Sequence, residues 1–71
     1  MLFASGRLAK LRYLSGSFEV MARGDHVICA VTGQKILLER LRYWSHELQE
    51  AYVDAEAATR RHAEMRAQGK L

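Results

Sequence analysis

Cys29 is the one cysteine of the chain, and it opens the pentapeptide Cys-Ala-Val-Thr-Gly that ends at Gly33. A thiol followed by a tight glycine turn has the outline of a metal knuckle. Structural zinc, however, takes four nitrogen or sulfur donors in a tetrahedron. Thr32 stands where a second cysteine would be, and one thiol cannot complete the set. His26 lies three residues before Cys29, and on a regular strand the two side chains point to opposite faces. His46 is near only in chain terms. The pattern therefore implies no bound metal. A cysteine nucleophile needs a neighbouring base and an electropositive, partly exposed setting. Cys29 lies between Ile28 and Ala30, so the expectation is an inert core thiol with two surface histidines. No Ser-His-Asp order, paired-carboxylate motif or phosphate-binding glycine loop occurs. A domain of this size also has little room for an enclosed pocket. These features point away from an enzyme and from any cofactor.

Lys10, Arg12, Lys35, Arg40 and Arg42 are interleaved with Tyr13, Tyr43 and Trp44. Cations that follow a phosphate backbone, beside rings that stack on bases, make a surface for single-stranded nucleic acid. The same residues also make an ordinary solvated sheet face above an aromatic core. The chain has 11 basic and 8 acidic residues, a net charge of +3. That is a mild bias towards anionic partners and less than a dedicated nucleic-acid binder carries. Arg23-Gly24-Asp25 reads as a turn.

The elements that must hold these residues can be read from period and turn signals. The 71 residues make one domain, residues 1–71, with 1–7 and 67–71 expected to be flexible. Nearly half the residues, 49%, are hydrophobic, which argues against disorder. Arg7, Lys10 and Arg12 interrupt any apolar leader, and no stretch approaches the roughly 20 apolar residues of a membrane span. With a single cysteine, a cytoplasmic location is expected. Residues 8–44 alternate in a strand-like way, with Tyr13, Phe18 and Val20 inward and Lys10, Arg12 and Glu19 outward. Gly16 and Gly33 are placed for positive-φ turns. Ser45 reads as the N-cap of a long helix, with Glu47, Glu50, Asp54 and Glu56 early and Arg60, Arg61 and Arg66 late. Leu48, Ala51, Tyr52, Ala55 and Ala58 would form its apolar stripe. Gly69 ends the pattern. The fold class is α+β: an antiparallel sheet of three to four short strands followed by one long C-terminal helix.

Residues 9–58 resemble a family of short, uncharacterised bacterial proteins, a domain of unknown function found mainly in alphaproteobacteria. The resemblance rests on "CAVTG", "LRYWS" and "QEAY". This chain has Ser15-Gly16 where members typically have an aspartate-glycine turn, and Leu37 where they have a proline. The resemblance implies a small α+β domain and no activity. A more distant likeness is to treble-clef fingers of the YHS or TRASH kind. Cys29, Gly33, Ser45, Ala51 and Tyr52 match that pattern, while Thr32, Trp44 and Leu48 stand at its other ligand positions. It implies a metal-free relative in which Trp44 and Leu48 fill the metal's place beside Cys29. Together these readings favour a non-enzymatic binding or adaptor module with a protein partner and no membrane. The alternative is a nucleic-acid-binding protein that uses the basic strand face.

Overall fold

The computed structural model describes residues 6–69. Its elements run β1 (Lys10–Tyr13), β2 (Phe18–Ala22), β3 (His26–Ile28), β4 (Lys35–Leu37), a 3-10 turn (Leu38–Arg40), β5 (Tyr43–Ser45), β6 (Glu50–Tyr52) and α1 (Ala55–Ala67). The α+β class and the C-terminal helix agree with the sequence reading. The strands form three antiparallel pairs, β1–β2, β3–β4 and β5–β6, and not the single sheet that the alternation implies. The pairs touch at their edges. Leu8 bridges His26 in parallel, and the Ala9 amide donates to the His26 carbonyl at 2.7 Å. Cys29 bridges Ala51 in parallel, and the Ala30 amide donates to the Ala51 carbonyl at 2.9 Å.

A lone two-stranded hairpin is marginal in water, so the three must share a core. That core takes Ala9 and Tyr13 from the first pair, Val27, Cys29 and Ile36 from the second, and Ala51 and Tyr52 from the third. Leu41 joins it from the connection before β5, and Ala57 from the first turns of α1. Tyr52 and Cys29 are its largest fully buried side chains. His26 is buried too, at 8% exposure, against the expectation of a surface histidine. The reason is local: it is paired with Leu37 on one side and bridged by Leu8 on the other, with Nδ1 bonded to the Asp25 carboxylate at 2.7 Å. Val20, expected inward, is 51% exposed. Val20 keeps its register opposite Leu11, but every residue of β2 after Phe18 is exposed, so this end of the hairpin lies beyond the core; the register then shifts and leaves Met21 as an extra residue.

The helix begins nine residues later than the Ser45 cap implies, its cap being Asp54. Ser45 does accept the Leu48 amide on its hydroxyl at 3.1 Å, as a cap would. The turn it starts is stopped by Gln49, whose φ of 54° reverses the chain. "EAY" then pairs with "YWS", placing Tyr43 opposite Tyr52 and Trp44 opposite Ala51. The true cap is Asp54, which accepts the Ala57 amide at 2.8 Å. Ala57 and Met65 are the buried helix residues, with Ala58, Arg61 and His62 half-buried beside them, so the stripe runs one residue out of phase with the expected one. Gly33, at φ 77°, and Gly69, at φ 74°, close their turns in the left-handed region as the sequence implies, whereas Gly16 does not adopt it. Of the ends expected to be flexible, residues 1–5 and 70–71 lie outside the described residues. Gly6 and Arg7 are held: the Gly6 amide donates to the Asp25 carboxylate at 2.9 Å, and the Asp25 amide donates to the Arg7 carbonyl at 3.0 Å. Among the described residues no helix is long and apolar enough to cross a membrane.

Candidate functional site

The Cys29–Gly33 turn links β3 to β4. The Gly33 amide donates to the Cys29 carbonyl at 3.0 Å, and the Thr32 amide donates to the Cys29 sulfur at 3.4 Å. Burial alone would raise the Cys29 thiol. Hydrogen bonds from the Thr32 side chain and from the Thr32, Val31 and Val53 amides outweigh it and bring the thiol below its ordinary value. This is a tight turn whose amides face the sulfur and the carbonyl of its first residue. The donor set does not fit a metal: Thr32 lends an amide and a hydroxyl, Val53 lends only an amide, and among the described residues no three of His, Cys, Asp or Glu gather.

Trp44 lies opposite Ala51, which in turn bridges Cys29, and it packs against the core that contains the thiol. Its indole nitrogen donates to the Leu14 carbonyl at 2.7 Å. Its ring lies 6.3 Å from that of Tyr13 at 28° and meets Phe18 edge-on at 5.5 Å. Trp44 thus fastens the β1–β2 hairpin to β5. Leu48 is half-buried in the turn after Ser45. From the third hairpin, the Val53 amide at the exit of β6 adds to the lowering of the Cys29 thiol. Tyr52, the most buried side chain, donates its hydroxyl to Glu50 at 3.0 Å, and Arg61 of α1 donates to the same carboxylate oxygen at 2.7 Å. Burial and the Glu50 carboxylate push the Tyr52 hydroxyl well above the usual tyrosine range. This small network ties helix to hairpin.

The five basic residues divide into two groups. Lys10 and Arg12 lie on β1, and Arg12 is paired across the ladder with Glu19. Lys35, Arg40 and Arg42 line one depression of about 400 Å³ with Glu39 and the apolar Ile36, Leu37 and Val53. Arg42 also lines a second depression of about 430 Å³, walled by Ser15, Gly16, Tyr43, Trp44, Ala58 and His62. A third, of about 370 Å³, lies between Val20 and Leu38, with Arg7, Arg23, Gly24 and Asp25 around it. Sequence reasoning did not single out His62 or the Val20–Leu38 groove. The phase of His62, four residues after Ala58, was a usable signal for the first. The exposure of β2 beyond Phe18 is set by tertiary packing and left none for the second.

No curated protein and no solved structure gives a significant match to this chain. One family does match, over residues 20–61, which takes in the second and third hairpins and the first half of α1. It covers more than half of the chain and includes Cys29, Gly33, Trp44, Ser45 and Tyr52. The chain belongs to the family described as uncharacterized protein conserved in bacteria (DUF2093).

Proposed function

We propose that this domain is a non-enzymatic binding module, built as a metal-free relative of a treble-clef finger, whose partner is a protein. The knuckle hairpin β3–β4, the third hairpin β5–β6 and the helix follow one another in the chain order such a unit needs. The packed Cys29, Ala51, Tyr52 and Ala57 then serve in place of a metal staple, since a small domain can be held by either. The observation that carries the binding role is the Val20–Leu38 groove. Single exposed apolar side chains are ordinary on a surface. Here Val20 and the neighbouring Met21, 51% and 59% exposed, adjoin a groove that also holds Leu38 and is rimmed by Arg7 and Arg23. An apolar centre with a charged rim is the anatomy of a protein interface. Asp25, on the same rim, is already engaged by His26 and the Gly6 amide. The fitting occupant is a partner segment with one apolar anchor flanked by acidic residues. The bulge at Met21 works against simple strand addition along β2, so a side-chain anchor is the expected mode.

Selection from a random peptide display library on the purified domain tests this. The enriched peptides should place Leu, Ile, Phe or Met beside Asp or Glu, and should shift the amide resonances of Val20, Arg23 and Leu38. Arg23→Glu should weaken them at least tenfold with the fold retained. Basic peptides, or shifts that avoid the groove, would overturn the reading.

A further inference from the structure

We propose that the cleft formed by the Ser15–Gly16 turn, Arg42–Trp44 and the Ala58–His62 face of α1 binds the base and phosphate of a nucleotide unit. This site is separate from the Val20–Leu38 groove and stands on different residues. Its walls combine aromatic and cationic residues: Tyr43, 41% exposed, and half-buried Trp44 both line it, although neighbours on a strand direct their side chains to opposite faces. Trp44 is already fixed by Tyr13, by Phe18 and by its bond to the Leu14 carbonyl, so little ordering is left to be done on binding. No carboxylate lines this cleft, whereas Arg42 does. Arg42 is also the shared wall with the depression that holds Lys35 and Arg40, where Glu39 is the single acid.

The surface therefore changes from aromatic to cationic across one arginine. A nucleotide carries those two complementary chemistries in its base and its phosphates. Stacking on aromatic rings tolerates any base, and cations beside them hold the phosphate. Each depression, at about 400 and 430 Å³, is of the size that small ligands occupy. His62 completes the wall, its ring edge-on to buried Tyr52 at 6.1 Å and its Nε2 shielded within the protein. The cleft makes no use of Lys10 or Arg12, which separates it from a broad basic strand face. A free nucleotide and a nucleic-acid strand present the same chemistry, so either could be the source.

The test is an amide and indole NMR titration of the intact chain with adenosine diphosphate, uridine diphosphate, inorganic pyrophosphate and a short oligothymidine, in low and high salt. Both nucleotides should shift Ser15, Gly16, Arg42, Tyr43 and the Trp44 indole, the one tryptophan of the chain. Arg42→Ala, at an exposed position, should keep a dispersed spectrum and weaken both at least tenfold. Arg60→Ala, outside the cleft, should change neither. An oligonucleotide that binds at least tenfold more tightly than the nucleotides, in a salt-sensitive way, identifies a strand as the source. Equal or weaker oligonucleotide binding identifies the free nucleotide. Pyrophosphate that shifts the same resonances as strongly, shifts that centre on Lys10 and Arg12, or no shift at millimolar ligand would each overturn the proposal.

Discussion

At Gly24 the chain passes itself with no room for a side chain. A β-carbon there would fall 2.6 Å from the Ala9 α-carbon and 2.6 Å from the Arg7 carbonyl oxygen, and closer still to the Ala9 amide nitrogen. All three are backbone atoms, tied down by the bonds from Ala9 to His26 and from Asp25 to Arg7. They cannot rotate away as a side chain would. Gly24→Ala should therefore destabilise the domain by at least about 1–3 kcal/mol, the usual cost of overpacking. In a domain whose core supplies only about 3–5 kcal/mol, that is a large share. Gly16 is the contrast. Nothing lies within 4 Å of its would-be β-carbon, and its φ is not in the left-handed region. Gly16→Ala should stay within about 0.5 kcal/mol of the parent, the range of ordinary surface changes. Urea unfolding of both variants checks the pair, and equal losses would refute the steric account. The sequence marked both glycines as turn residues. It could not rank them, because the crowding at Gly24 comes from a segment some fifteen residues away.

Gln49 shows how an element's edge can be finished by one side chain. Its amide oxygen accepts the Tyr13 amide at 3.0 Å, and its amide nitrogen donates to the Tyr13 carbonyl at 2.7 Å and to the His46 carbonyl at 2.7 Å. The side-chain amide thus pairs with β1 as a peptide unit of a further strand would. It does so from a left-handed backbone that non-glycine residues seldom adopt. Removing it leaves two partly buried groups of Tyr13 unpaired, at about 1–3 kcal/mol. Gln49→Leu should lose that stability and speed hydrogen exchange of the Tyr13 amide, while α1 amides exchange as before. An unchanged Tyr13 rate would show that water closes this edge equally well. Most of the β-elements were legible: Tyr13, Phe18, Val27 and Ile36 all lie where alternation and turn signals put strands. The third hairpin was not. Ser45 with four acids after it makes a sound helix start, and Ala51, Tyr52 and Ala55 complete a helical period. Pairing of Tyr52 with Tyr43 overrides that local preference, and a glutamine at a left-handed turn gives no warning of it. Of the candidate site, Lys35, Arg40 and Arg42 were legible as cations near aromatics. Their separation from Lys10 and Arg12 is tertiary information.

Seen whole, the described part is long and thin, 46 × 21 × 16 Å, with three small hairpins strung along one core. Cross-links between segments therefore matter more than in a rounder domain. Asp25 is the busiest of them. Its carboxylate accepts from the Gly6 amide and bonds His26 Nδ1, its amide donates to the Arg7 carbonyl, and its carbonyl accepts the Leu38 amide at 3.1 Å. One residue thus gathers the entering segment, the second hairpin and the 3-10 turn that leads to Arg40 and Arg42. The His26 hydrogen bond, with that of Gly6, holds the Asp25 carboxyl below its ordinary value of 3.8. A carboxyl depressed on folding stabilises the folded state above its unfolded pKa and loses that effect as pH falls through its folded pKa. The Asp25 contribution should be complete near neutral pH, begin to fall near pH 4 and vanish in stronger acid. Asp25→Asn keeps the shape but removes the charge. It should be less stable than the parent at neutral pH, and the gap should narrow as pH drops below about 4, the usual carboxylate range. Some slope will remain in the variant, because the Glu47 carboxyl is also held low, first by its own backbone amide and then by His46. Urea midpoints of both proteins across this range measure the gap directly. A constant gap would mean that Asp25 acts through its neutral hydrogen bonds alone, and a gap that widens in acid would reverse the sign of the argument.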